Sequence, residues 1–245
     1  MKYLHDFGLY FIMLKGVFSR FTKWSALKKL IFKEIDDLII GSLGIVAFIS
    51  FFVGGVIAIQ TALNIDNPLI PKYLVGFATK QSIILEFAPT FMSIIMAGKV
   101  GSFITSSIGS MRVTEQIDAL EVMGINSLNY LVFPKLISML LYPFLITIAM
   151  FLGILGGWVA CVYGGFSSHE DFITGLQAEF DSFQVFYSYV KTFFFAIILA
   201  TVPSFHGYYM KGGALEVGKA ATASFVWTSV IIIILNYIIT QLMLT

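Results

Sequence analysis

One carboxylate stands inside an apolar run. Glu86 follows Ile83-Ile84-Leu85 and precedes Pro89 by three residues. A charge at the centre of a bilayer costs at least about 2.5–3.5 kcal/mol on insertion scales, so such a group faces a cavity or a partner. Pro89 has no N–H for the carbonyl of Leu85, which lets the helix open or bend beside Glu86. The bland alternative puts Glu86 near the outer interface, within reach of water and of Lys80 or Lys72. Other chemistry is scarce. His5, His169 and His206 are isolated, and Cys161 is the single cysteine, so no disulfide, metal cluster or catalytic constellation is expected. No G-x-S-x-G places a nucleophile. Gly213-Ala-Leu-Glu-Val-Gly218-Lys219 matches the core of a phosphate-binding loop, but Ala220 stands where Ser or Thr would hold magnesium. No strand pattern precedes it, so it reads as a glycine-bearing turn that opens the last apolar helix.

A second chemistry-bearing stretch runs over residues 112–124. Val113, Ile117, Leu120 and Met123 recur at helical spacing, with Arg112, Glu115, Gln116, Asp118 and Glu121 on the remainder. Gly124 is a natural stop. The pattern predicts one short amphipathic helix between two spans. Three acids and one arginine suit a protein surface better than an anionic membrane surface.

These residues must be positioned by apolar helices. The chain of 245 residues is 58% hydrophobic and 12% charged, against about 45–50% and about 25% in soluble domains. A water-soluble enzyme is excluded on that count, and a net charge of +1 gives no reason to expect nucleic-acid binding. Spanning helices need about 20 apolar residues. Five spans are expected: 38–59, bounded by Asp36-Asp37 and Gln60; 75 or 82 to 108; a third within 135–162, with Pro134 at its start; 187–205; and 225–244. Gly153, Gly156 and Gly157 in the third would let another backbone approach closely. The stretch 64–71 reads as a loop by its Pro and Asn content.

Ahead of the spans, Leu4, Phe7, Phe11, Leu14, Phe18 and Phe21 draw one stripe down a helix, with Lys15, Arg20, Lys23, Lys28, Lys29 and Lys33 off it. This predicts a helix lying in the membrane interface over 1–35. A short span over 7–21 has too few residues to cross, and the broken apolar run with no small-residue cleavage site is not a signal peptide. With the N-terminus inside, twelve of the 15 basic residues fall on inner stretches; Lys72, Lys80 and Lys191 fall outside, and 164–184 has four acids and no Lys or Arg. That bias predicts a cytoplasmic N-terminus and an outer C-terminus.

The longer runs resemble a known family. Asp118-Ala-Leu-Glu-Val-Met-Gly124 loosely resembles the E-A-A-x-x-x-G loop by which ABC importer permeases engage their ATPase. More specific are Leu85-Glu-Phe-Ala-Pro89, Ala97-Gly-Lys-Val-Gly101, Ile108-Gly-Ser-Met-Arg-Val-Thr-Glu-Gln-Ile-Asp-Ala-Leu-Glu-Val-Met-Gly124 and Phe133-Pro-Lys135. With Gly212-Gly-Ala-Leu-Glu-Val-Gly-Lys-Ala-Ala-Thr222 they resemble the MlaE (YrbE) permeases of MCE lipid-transport systems, over about residues 38–245. The resemblance implies an all-α inner-membrane permease in one domain over 1–245: an interfacial helix, five spans and a cytoplasmic coupling helix. It implies a homodimer with a cytoplasmic ABC ATPase, a periplasmic MCE-domain protein and phospholipid as cargo. ATP and magnesium would belong to the ATPase, with no cofactor or metal here. Glu86, Pro89 and Gln60 are the implied lipid-pathway residues. Arg112, Glu115, Gln116, Asp118, Leu120, Glu121 and Gly124 are the implied ATPase-coupling residues. Leu85 stands where the family often has arginine, Ser107 where it often has glutamate, and Lys99 and Lys135 replace arginines. The competing readings are an ion-coupled carrier or channel using Glu86, and a structural anchor for a periplasmic complex.

Overall fold

Long apolar helices dominate the computed structural model, which describes residues 2–19, 21–65 and 70–244. Five are long and apolar enough to cross a membrane: Trp24–Asn64, Tyr73–Val113, Ser127–Tyr163, Ser182–Tyr208 and Ala214–Leu244. No strand occurs among the described residues. A bilayer offers no water to backbone groups, and a helix satisfies them within itself; the all-α membrane architecture expected from composition is present. Arg20, residues 66–69 of the expected loop, and terminal residues 1 and 245 lie outside the described residues.

The N-terminal segment forms two helices rather than one, α1 (Lys2–Val17) and α2 (Trp24–Leu38). Phe7, Phe11, Phe18 and Phe21 of the stripe are exposed, while Met13, Val17 and Leu27 are buried. A 3-10 turn at Ile40–Ser42 separates α2 from α3 (Leu43–Asn64). The second span is helical throughout but changes pitch: α4 (Tyr73–Ser82), a π-helical stretch Ile83–Phe91, α5 (Met92–Met96), a second π stretch Ala97–Gly101, and α6 (Ser102–Val113). Then follow α7 (Gln116–Val122), α8 (Ser127–Met139), α9 (Tyr142–Tyr163), α10 (His169–Gln177), α11 (Ser182–Tyr208) and α12 (Ala214–Leu244). The spans overrun their expected ends because polar residues such as Asn64 and Lys219 continue a helix without being apolar. Pro134 accordingly sits inside α8 rather than at a helix start.

The chain forms two compact units. The first holds Met1–Gly41, Ser93–Tyr142 and Phe194–Ile238. There α1 and α2 pack on α8 through Val17, Leu27, Val132 and Phe133. Lys135 of α8 forms a buried ion pair with Glu34 of α2. The second holds Ser42–Met92, Pro143–Phe193 and Ile239–Thr245. There α3 and α9 touch backbone to backbone. A Cβ on Gly54 would lie 1.9 Å from the Gly153 carbonyl oxygen, and one on Gly156 would lie 1.9 Å from that of Phe51. This is the close approach expected of the glycines in α9. The stretch expected as a loop over 164–184 contains α10, capped by the Ser168 side chain on the Asp171 N–H and packed on α4. Lys80 is buried, and its Nζ donates to the carbonyls of Leu176 and Ala178, which end α10.

Candidate functional site

The membrane-embedded polar site lies in the second unit, where the second span leaves α geometry. π-helical turns inside α-helices are frequent at functional sites, and the stretch Ile83–Phe91 holds both Glu86 and Pro89. Glu86 Oε1 accepts a hydrogen bond of 2.6 Å from Lys191 Nζ of α11. The same ammonium donates to the Leu85 carbonyl at 3.2 Å, the oxygen that Pro89 cannot serve four residues on. It also lies 4.4 Å from the Tyr187 ring centroid. Thr90 Oγ1 donates to Glu86 Oε2 at 3.0 Å. A lysine that leaves water needs such partners, because an isolated buried charge costs far more than its contacts return.

This removes the lysine contacts of the alternative reading and corrects the expected place of Lys191. Glu86 meets neither Lys80, which is committed to the end of α10, nor Lys72, which is exposed. Lys191, expected near the outer start of its span, lies well inside α11 and is fully buried. It is the cation that pairs with Glu86. A lysine in an apolar span was the available signal; its partner lies 105 residues away in the chain, beyond any local pattern. Gln60 is exposed on α3 and, among the described residues, shares no hydrogen bond with the pair. A crease lined by Ile83, Phe87, Phe91 and Gly153 has a volume of about 10 Å³, room for about one water.

The expected coupling helix occupies the first unit and is broken in two. Arg112 and Val113 end α6, and Glu115 adopts a left-handed conformation (φ 58°) before α7 begins. Thr114 Oγ1 bonds back to the Ser110 carbonyl at 2.9 Å, a contact that competes with helix continuation. Gly124 ends the turn at φ 76°, the left-handed stop its type allows. Ile117 is buried and Leu120 half-buried, but Val122 and Met123 are exposed, so the apolar face is shorter than expected. Arg112 pairs with Asp118 at 2.8 Å and sits over the Tyr208 ring. Glu121 is exposed as expected, yet its Oε1 is engaged, accepting from Ser127 Oγ at 2.9 Å and Tyr208 OH at 3.0 Å. Gln116 Nε2 donates to Thr114 Oγ1. Glu115, Gln116 and Asp118 are exposed as well. Burial pushes the neighbouring Tyr209 phenol up, against the pull of the Arg112 charge. Residues 214–219 are the first turns of α12, where Glu216 and Lys219 pair at 2.7 Å, rather than a phosphate-cradling loop.

Known proteins match this chain along most of its length. A family model described as Permease MlaE matches residues 31–242. A probable ABC transporter permease protein of Rickettsia bellii is 35% identical over 214 residues, covering 87% of this chain and 82% of that protein. One from Synechocystis is 32% identical over 203 residues, covering 82% and 77%. The intermembrane phospholipid transport system permease protein MlaE of Haemophilus influenzae is 26% identical over 219 residues, covering 87% and 82%.

Proposed function

The chain belongs to the MlaE permease family and is the multi-pass membrane subunit that works with an ABC ATPase; on that premise we propose that its cargo is phospholipid. The observation that carries the cargo reading is the Glu86–Lys191 pair. It places a fixed cation and a partly open carboxylate within two apolar spans. A molecule with a charged head and apolar tails would meet both chemistries there. The name of the H. influenzae relative points the same way. Lys191 already pairs with Glu86, which favours this reading over an ion-coupled carrier using that carboxylate.

Two copies assemble in the inner membrane with a cytoplasmic ATPase docked on α7 and a periplasmic MCE-domain protein opposite. Only 22% of the apolar window of α12 is buried, against 39–56% for the other four spans, which supports a second copy on that helix. The crease beside Glu86 is too small for a lipid chain, which supports a lipid enclosure made by two copies. Glu86 and Pro89 border the lipid route, and Gln60 lies on its approach. The exposed residues of α7, with Arg112 and Gly124 setting their position, meet the ATPase. The N-terminus is cytoplasmic and the C-terminus periplasmic, as the basic residues are distributed.

Co-purification from membranes in mild detergent, followed by reconstitution, tests the whole reading. The ATPase and MCE subunits are expected in the eluate, and a photo-crosslinker at position 86 is expected to capture labelled phospholipid. An ATP-hydrolysing complex with no lipid adduct and no transport would reject the cargo. Cysteines placed at Gln116 and Glu170 in Cys161→Ser protein should react with an impermeant reagent from opposite sides.

A further inference from the structure

The corner between α1 and α2 is closed by two asparagines that directly follow the turn after α7. Only Ile125 and Asn126 separate Gly124 from the first residue of α8. Asn126 Oδ1 caps α8 by accepting from the Asn129 N–H at 3.2 Å. Its Nδ2 donates to the Gly16 carbonyl at 2.9 Å and to Ser19 Oγ at 3.3 Å. Asn129 is fully buried and spans the corner: its Nδ2 donates to the Val17 carbonyl at 2.8 Å, and its Oδ1 accepts from the Thr22 N–H at 2.9 Å. Val17 ends α1, where a carbonyl has no partner within the helix. Thr22 lies just ahead of α2. An amide supplies a donor and an acceptor on one rigid plane, so Asn129 closes this corner as a backbone pair would.

Packing reinforces the bonds. Leu128 fills the space over Gly16, and the rings of Phe18 and Phe21 meet Phe133 edge-on. On the other side, Ser127 Oγ donates to Glu121 of α7. An unbroken series of short contacts therefore runs from α7 through the start of α8 to the end of α1. Helix α1 in turn carries the exposed Phe7 and Phe11.

We infer that Asn126 and Asn129 are positioning residues that make α7 and α1 one rigid body, so that displacement of α7 by the ATPase swings the phenylalanine ridge of α1 through the lipid interface. This rests on the reading of α7 as the ATPase dock. Because the corner moves as a body, it need not open during the transport cycle.

A covalent lock tests this in the permease–ATPase complex reconstituted in phospholipid vesicles. A Cβ built on Gly16 stands 3.9 Å from Leu128 Cβ, within the span of a disulfide. Gly16→Cys with Leu128→Cys, in Cys161→Ser protein, should cross-link on oxidation and leave ATPase rate and transport within about twofold of the reduced complex. A fall of about tenfold or more that reductant reverses would show that the corner must open, and would overturn the inference. Asn129→Ala should retain the ATPase in pull-down yet move about tenfold less phospholipid per ATP, and the disulfide should restore it. Parent-like transport by Asn129→Ala, or no rescue by the disulfide, would also overturn the inference. If Asn129→Ala fails to fold, the disulfide in the parent background decides alone. A parent complex that hydrolyses ATP without moving phospholipid rejects the cargo, and the lock is then judged on ATPase rate. A permease that recovers no ATPase rejects the dock and the inference with it.

Discussion

Each unit holds a lysine that has left water and paired with a glutamate, and the two pairs differ in how much of the acid is sealed. In the first unit Lys135 and Glu34 are 4% and 15% exposed along their side chains. In the second, Lys191 is fully buried while Glu86 is 43% exposed. The sealed pair ties α2 to α8 beside a Ser138 Oγ bond to the Ile31 carbonyl. No passing group can reach it, and Glu34 Oε2 is buried without a hydrogen-bond partner, which adds cost rather than function. The half-open pair fixes its cation with three partners and leaves its carboxylate accessible. Exposure of one member thus separates a sealed strut from a half-open pair, even though the chemical pair is the same.

The largest effect should come from halving the sealed pair. Lys135→Met leaves the Glu34 carboxylate buried alone and should cost about 3–5 kcal/mol, read as a lowered thermal midpoint in detergent. Lys135→Met combined with Glu34→Gln should recover most of that loss, because both charges are gone. A single variant as stable as the parent would end the distinction between the two pairs. Next comes Glu86→Gln, which keeps shape and an acceptor oxygen but removes the charge from a charge-assisted hydrogen bond, a loss of about 1.5–3 kcal/mol at most. The Leu85 carbonyl and Tyr187 ring still hold Lys191, so the measured loss should fall at the low end. Transport should fall out of proportion to stability, with the ATPase still bound. If stability and transport fell in step, Glu86 would be a strut like Glu34.

The smallest effect on stability belongs to a third, exposed pair. Arg112 and Asp118 are 36% and 56% exposed, so Arg112→Ala should cost only about 0.2–1 kcal/mol, fading in high salt. Charge reversal of the neighbouring acids, Glu115→Lys with Asp118→Lys, should leave the permease folded in the membrane yet release the ATPase in pull-down through like-charge repulsion and unpaired charge. Unchanged ATPase recovery would remove α7 as the dock.

Much of this was legible without coordinates because it is local. Apolar runs longer than a bilayer is thick announce spans. A glutamate inside one announces an unpaid charge. Glycine spacing in α9 announced a close backbone approach, and the coordinates supply the partner on α3. The segment 112–124 reads from its periodicity as one helix, which is longer than the helix that forms there. Periodicity carries no sign of the left-handed Glu115, which splits 112–124 into the end of α6 and the separate α7.

Sequence alone therefore determined the solvent, the number of spans, the family and the short list of residues with chemistry. Each follows from composition or from a motif read along the chain. The tertiary structure decided which residues meet. Lys191 and not Lys80 neutralises Glu86, Tyr208 and Ser127 bond the Glu121 carboxylate, and Asn129 closes a corner more than a hundred residues away in the chain. Such pairings depend on how one helix is rotated and shifted against another. A rotation of 100° per residue sends neighbouring positions to different faces, and no local pattern records which face the partner presents.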